Sequence, residues 1–248
     1  MARVLLLSFF LSTITAAPVP DSKVGSYLAE WGFIQDSGND AQSSLSISSA
    51  IRDFQQTYGL SVTGTINEAT RRLMESPRCG MKDKGDDNAR GKRQLRSAWN
   101  RGTITYAIES YPPGLTREFV RSEMNRAFSG WQQFAPGRKF EEARDSKNAD
   151  IVLNFYTNEQ HNRVCSARWT ESVLAHAFFP ENGQIHFNLE HTWTEPDKIG
   201  SIFFHEIGHA LGLDHLNQDE LNLMFPYYVE GPKHYSSHSM NDMLSSYS

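Results

Sequence analysis

The sequence predicts an α+β fold: a mixed, twisted sheet with three main helices, preceded by a small three-helix unit. Short apolar stretches with strand character recur at residues 103–108, 150–155, 173–179 and 185–189. Apolar residues at helical spacing recur between and after them, over 117–134, about 198–211 and 234–247. Upstream, residues 22–75 carry helical spacing alone, so the pattern changes between two regions of one chain.

The first residues read as a targeting segment. Met1-Ala2-Arg3 precedes a short apolar run over 4–11 and then Ser12-Thr13-Ile14-Thr15-Ala16-Ala17. One basic residue, an apolar core and small residues predict a secretory signal peptide over 1–17, too short to span a bilayer. No second long apolar segment follows, so the expectation is a secreted, extracellular protein without a membrane span.

Residues 18–93 form the next expected unit. Val24, Tyr27, Leu28 and Trp31 share one helical face, and Ile47, Ile51, Phe54 and Tyr58 another, ending at Gly59. Ile66, Thr70, Leu73 and Met74 fit a third helix that starts near Asn67 or Thr65. Three short helices enclose a marginal core, so this unit should depend on its neighbour. Pro77-Arg78-Cys79-Gly80 follows, then a charged stretch, 81–93, that reads as an exposed loop ending in Arg90-Gly91-Lys92-Arg93.

In the third region, 94–248, Phe119, Met124, Ala127, Phe128 and Trp131 lie on one face of the first long helix. The chain's 248 residues, 39% of them hydrophobic, suffice for one ordinary domain plus a small one. A net charge of −5 gives no reason to expect a nucleic-acid partner. Two cysteines, Cys79 and Cys165, exclude a disulfide framework but leave one bridge open as an alternative to a separate role for Cys79.

The chemistry concentrates in His205-Glu206-Ile207-Gly208-His209-Ala210-Leu211-Gly212-Leu213-Asp214-His215, which reads H-E-x-x-H-x-x-G-x-x-H. Residues four apart share a helix face, so His205 and His209 can aim at one metal ion. Glu206 lies beside the first ligand, within reach of a water held there. Gly212 permits a positive φ that ends the helix, and the returning chain offers His215. Three protein ligands leave a fourth position open, as in a catalytic zinc site. A bare H-E-x-x-H arises by chance about as often as not, but Gly212, His215 and the later Met224 narrow the reading sharply.

These residues carry a family resemblance. The chain resembles the matrix metalloproteinases, or matrixins, a branch of the metzincin zinc endopeptidases, over nearly its whole length after residue 17. Residues 50–55 and 59–64 resemble the family's prodomain, and Pro77-Arg78-Cys79-Gly80 its cysteine switch. Asp150-Ile151, residues 174–180, the histidine motif and Leu223-Met224-Phe225-Pro226 resemble its catalytic domain. Leu216 after the third histidine stands where astacins carry Glu. Because the sequence stops at 248, the likeness is to minimal members without a hemopexin-like propeller.

The resemblance implies a zinc-dependent endopeptidase made as a latent zymogen, with Glu206 as catalytic base. His205, His209 and His215 would hold the catalytic zinc, and Cys79 would occupy its fourth position until the prodomain leaves. The Arg90–Arg93 run resembles the R-x-K-R site of furin-type convertases. The Ala175 carbonyl would hold the leaving amine. Pro226 and Tyr228 would wall the pocket beyond the scissile bond, with the small Ser201 leaving it unplugged. After Cys79-Gly80 the family's apolar residue, proline and aspartate become Met81-Lys82-Asp83, which leaves Asp83 to support Arg78.

A second, structural zinc is implied at His161, His176 and His186, but the family's aspartate position holds Arg163. Cys165 or a water would complete that set, or the three histidines are unrelated to a metal. Calcium stays open: Arg168, Asn188 and His191 stand where carboxylates are expected, which predicts loss of one site, while Asp150 remains available for another. Implied partners are extracellular, matrix-type protein substrates, an activating convertase and a proteinaceous inhibitor, for a monomeric enzyme. Two rival readings are a non-catalytic polymer-binding module and a zinc-holding structural protein whose prodomain never leaves.

Overall fold

The computed structural model describes residues 21–34, 44–84, 97–167, 169–231, 233, 234, 241 and 247. The expected signal segment 1–17, the basic run 90–93, Arg168 and most of the expected helix 234–247 lie outside the described residues. His234, the expected first residue of that helix, instead forms an isolated bridge with Asn222.

The N-terminal unit holds three helices, as its periodicity predicts: α1 (Val24–Glu30), α2 (Ser44–Thr57) and α3 (Glu68–Glu75). Asn67 caps α3, its side-chain oxygen accepting from the Thr70 N–H at 2.9 Å. Gln55 on α2 ties the turn before α3 together. Its amide donates to Thr65 O and Thr70 Oγ1, and its carbonyl accepts from the N–H of Thr63 and Gly64. The unit's core is not its own: Leu28, Trp31, Phe54, Tyr58 and Met74 form one buried cluster with Val173, Phe225 and Tyr227 of the larger region. Three short helices bury too little apolar surface alone, and the neighbour completes the core.

Six strands form one mixed sheet in the order β1-β5-β6-β4-β2-β3. They are β1 (Arg78–Cys79), β2 (Thr103–Ile108), β3 (Lys139–Glu142), β4 (Ile151–Tyr156), β5 (Val173–Ala177) and β6 (Gln184–Asn188). Pairing is parallel except between β5 and β6. Helix α4 (Arg117–Gln132), capped by Thr116, packs its Val120, Met124, Phe128 and Trp131 face into the same core as Ile104, Leu153, Phe155 and Phe187. Helix α6 (Pro196–Ala210) adds Phe203 and Ile207. Burial on both faces explains why β4 and β5 read as continuous apolar runs.

Three elements carry no readable period. β1 has two residues, β3 (Lys-Phe-Glu-Glu) is a mostly exposed edge, and α5 (Asn158–Val164) has no apolar stripe. Helix α5 is set by a capping box in which Thr157 and Gln160 satisfy each other's backbone N–H groups.

Candidate functional site

Helix α6 places His205 and His209 on one face, and a Schellman turn brings back His215. Gly212 has φ +102°, its N–H donates to His209 O at 2.7 Å, and the Leu213 N–H donates to Gly208 O at 2.9 Å. The Nδ1 of His205 lies 2.8 Å from Leu223 O, and that of His209 lies 2.7 Å from Leu213 O. A carbonyl at Nδ1 fixes the proton there and leaves Nε2 unprotonated, with its lone pair able to ligate a metal. The two Nε2 atoms are 3.1 Å apart. Burial, with His215 adding to it, brings His205 down to about 3, so the ring is neutral and fit to ligate.

Met224 lies under this helix. A methyl group on Gly208 would fall 2.5 Å from its Sδ, so the helix can approach only because residue 208 is glycine. The Met224 carbonyl accepts from the Leu216 N–H at 2.9 Å, fastening the stretch after His215.

The segment carrying Cys79 enters from β1. Cys79 Sγ lies 3.5 Å from His209 Nε2, and donor atoms of Cys79, His205, His209 and His215 all lie within 4.8 Å of one another. All four residues are buried. Burial, and then the Glu206 carboxylate, push the Cys79 thiol well above its ordinary value, so a thiolate here requires a cation beside it. Glu206 is itself buried, its carboxyl pushed up to about 8 by burial while a hydrogen bond from Cys79 works the other way. Its Oε2 has no hydrogen-bond partner among the described residues. Buried imidazoles, a thiol and a carboxyl with one unpartnered oxygen fit a zinc ion, which supplies the missing positive charge.

Main-chain hydrogen bonds hold the Pro77–Gly80 segment on both sides. The Arg78 N–H donates to Ser172 O and the Gly80 N–H to Ala175 O, each at 2.8 Å. Opposite, the Cys79 N–H donates to Pro226 O and the Tyr228 N–H to Pro77 O, also at 2.8 Å. Ala175, Pro226 and Tyr228 therefore all meet the segment that carries Cys79. Beside Glu206 opens a pocket of about 380 Å³, part of it open to solvent, whose walls include Leu174, Ser201, Pro226 and Tyr228.

Arg78 is fully buried. Its guanidinium stacks 3.5 Å from the Trp31 ring centroid, donates to Tyr227 Oη at 3.0 Å and pairs with Asp83 at 2.6 Å. The side chain of Asp83 is wholly buried, which corrects the exposed-loop reading at that residue; Lys82 beside it is exposed, and residues 85–93 lie outside the described residues. Net charge misleads there, because the Asp83 carboxylate is neutralised by Arg78 inside the interface. The periodicity places Tyr27 and Trp31 on a helical face but gives no sign of the buried cation that they and Tyr227 surround.

The second cluster also assembles. His161 on α5, His176 on β5, His186 on β6 and Cys165 bring donor atoms within 4.8 Å of one another. Burial lowers His161 and His186 to about 4 and holds His176 well below its ordinary value, with neighbouring rings adding to the shift on His176 and His186. Arg163 lies on the exposed side of α5, ion-paired with Glu159, so its charge does not face the histidines. Of the calcium candidates, Asn188 donates to Val173 O at 2.8 Å, and Asp150 is held by Arg101 and by Thr105. Both cysteines are free, with no bridge between Cys79 and Cys165.

Comparison with known proteins agrees with this geometry. The family described as Matrixin matches residues 98–245, and one described as Putative peptidoglycan binding domain matches residues 23–74. The chain is 34% identical over 232 residues to Matrix metalloproteinase-19 of Mus musculus, covering 90% of this chain and 43% of that protein. It is 34% identical over 229 residues to Metalloendoproteinase 1-MMP of Arabidopsis thaliana, covering 83% and 62%. Interstitial collagenase B of Mus musculus is 35% identical over 193 residues, covering 72% and 38%. The chain thus spans less than two thirds of the length of these relatives. No helix among the described residues is long and apolar enough to cross a membrane. The matrixin match takes in strands β2 to β6, the histidine motif and Met224, and the chain belongs to the matrixin family.

Proposed function

We propose that this protein is a secreted zinc endopeptidase made as a latent zymogen, with residues 18–93 as prodomain and 94–248 as catalytic domain. The observation that carries the reading is the convergence of Cys79 with His205, His209 and His215, donors all within 4.8 Å, beside the buried and unpartnered Glu206 oxygen. The three histidines would hold the zinc, and the Cys79 thiolate would close its fourth position.

When bound, zinc supplies a Lewis acid that polarises a peptide carbonyl and makes water acidic enough to attack it. Glu206 takes a proton from the attacking water and passes it to the leaving amine. The edge of β5, with Ala175 O, and the 226–228 segment bind an extended substrate by the main-chain groups that β1 now uses. The pocket beside Glu206 takes the side chain that follows the scissile bond. Cutting after Arg93 by a furin-type convertase lets the prodomain leave and vacates both edges.

The relatives' names speak for peptide bonds as the target; extracellular matrix proteins are the substrates this reading expects. The match of residues 23–74 to a peptidoglycan-binding pattern favours no separate binding role, because the aromatic face of that unit is buried against Phe225 and Tyr227. The test is hydrolysis of a quenched-fluorescence peptide before and after convertase treatment. Turnover only after cutting, abolished by a chelator and restored by zinc, supports the reading. No turnover by a cut, zinc-loaded chain overturns it.

A further inference from the structure

The second histidine cluster carries an inference that rests on the zinc-protein reading above but is independent of the peptidase site. His161, His176 and His186 come from three elements, yet the Nε2 atoms of His161 and His176 lie 2.9 Å apart. Trp169 stacks on His161 with centroids 3.7 Å apart and planes 10° from parallel, covering the cluster. The Nδ1 atoms of His161 and His186 have no hydrogen-bond partner among the described residues. A buried set of rings, joined nitrogen to nitrogen, is a poor core by packing alone, since buried polar groups without partners are costly.

Three neutral donors lack the anion that a closed zinc site usually includes. Among the described residues no carboxylate joins the group. Arg163, at the position where the resemblance expects aspartate, is exposed and paired with Glu159. Cys165 does join it. Four residues after His161, it caps α5, where its N–H donates to His161 O at 2.8 Å and the backbone turns to extended geometry. That turn brings Sγ 3.8 Å from His176 Nε2.

We propose that Cys165 supplies the anionic fourth donor of a closed His₃Cys zinc site. On binding, the thiol proton leaves to solvent and the thiolate reduces the charge on the ion by one. Tetrahedral sites of nitrogen and thiolate ligands without an open position are structural rather than catalytic. The ion then pins α5 and the following segment to β5 and β6. His176 is next to Ala175, whose carbonyl holds the switch segment at Gly80, so this site stiffens the strand edge that the peptidase site uses.

Cobalt substitution in the full, reduced chain tests this, because thiolate-to-cobalt charge transfer reports sulfur ligation directly. Cys79→Ser first removes the switch thiolate from the spectrum. The C79S chain is expected to bind two cobalt ions and to keep a sulfur charge-transfer band. Adding Cys165→Ser should abolish the band and weaken the second ion by at least about tenfold, the scale seen even for outer-shell partners. Adding Cys165→Asp instead should restore the second ion without the band. A C79S chain without a sulfur band overturns the proposal, whether it binds one ion or two, as does unweakened binding at this site in C79S/C165S. Failure of the peptidase reading shows separately, as absence of the ion that His205→Ala removes.

Discussion

The Asp83 carboxylate lies 3.2 Å from Nδ1 of His215 and 2.6 Å from Nη2 of Arg78. One buried acid therefore touches both the third histidine of the motif and Arg78, the cation next to Cys79. Burial alone would raise its pKa, but Arg78, and then His215, hold it below the usual carboxylate range, so Asp83 stays ionised. The contact is close without an aligned hydrogen bond at Nδ1, so the carboxylate acts on the His215 ring through its charge. Residues 79–83 thus touch the histidine site at two points, Cys79 and Asp83.

Asp83→Asn keeps the shape but leaves Arg78 as an uncompensated buried charge. Breaking a buried pair in this way costs about 3–5 kcal/mol. That cost falls on prodomain docking, so the uncut variant should show measurable peptidase activity and faster limited proteolysis across residues 85–96. Unchanged latency would remove Asp83 from the account.

The two cysteines should differ in reactivity. Cys79 is buried against His209, whereas Cys165 is partly exposed. Alkylation of the native chain, followed by peptide mapping, should label Cys165 first and Cys79 only after denaturation or prodomain removal. Chelating the metal should speed labelling of both. Early labelling of Cys79 in the zinc-loaded, uncut chain would contradict its place on the metal.

Gly208 sits between the two motif histidines of α6 with no room for a side chain. Glycine to alanine normally gains about 1 kcal/mol in a helix. Here the new methyl would meet Met224 Sδ at 2.5 Å and Trp131 at 3.0 Å, and overpacking costs about 1–3 kcal/mol. Gly208→Ala should therefore be net destabilising, lowering the melting temperature by about 2–4 °C per kcal/mol lost. A raised melting temperature would show that Met224 yields without cost.

The motif histidines, Glu206, Gly212 and Met224 were legible because the chemistry fixes their spacing along a helix and its turn. The three N-terminal helices were legible because an aromatic stripe must face something. Their dependence on the larger region followed from size, but the surface that completes the core, Val173, Phe225 and Tyr227, did not. Those contacts join residues far apart in sequence and leave no local period. The cage of Trp31, Tyr227 and Asp83 around Arg78 was hidden for the same reason. So was the role of α5, whose one buried position, His161, belongs to a cluster and not to an apolar face.

The most direct test of the central claim is the rate of peptide hydrolysis by the uncut Cys79→Ser chain, measured beside the same chain carrying Glu206→Gln. The account predicts that the single variant hydrolyses peptide without any cleavage of the prodomain. The added Glu206→Gln should cut that rate at least about a hundredfold with zinc content unchanged, the scale of losing a general base. An uncut Cys79→Ser chain as silent as the wild type, or a double variant as fast as the single one, would contradict it.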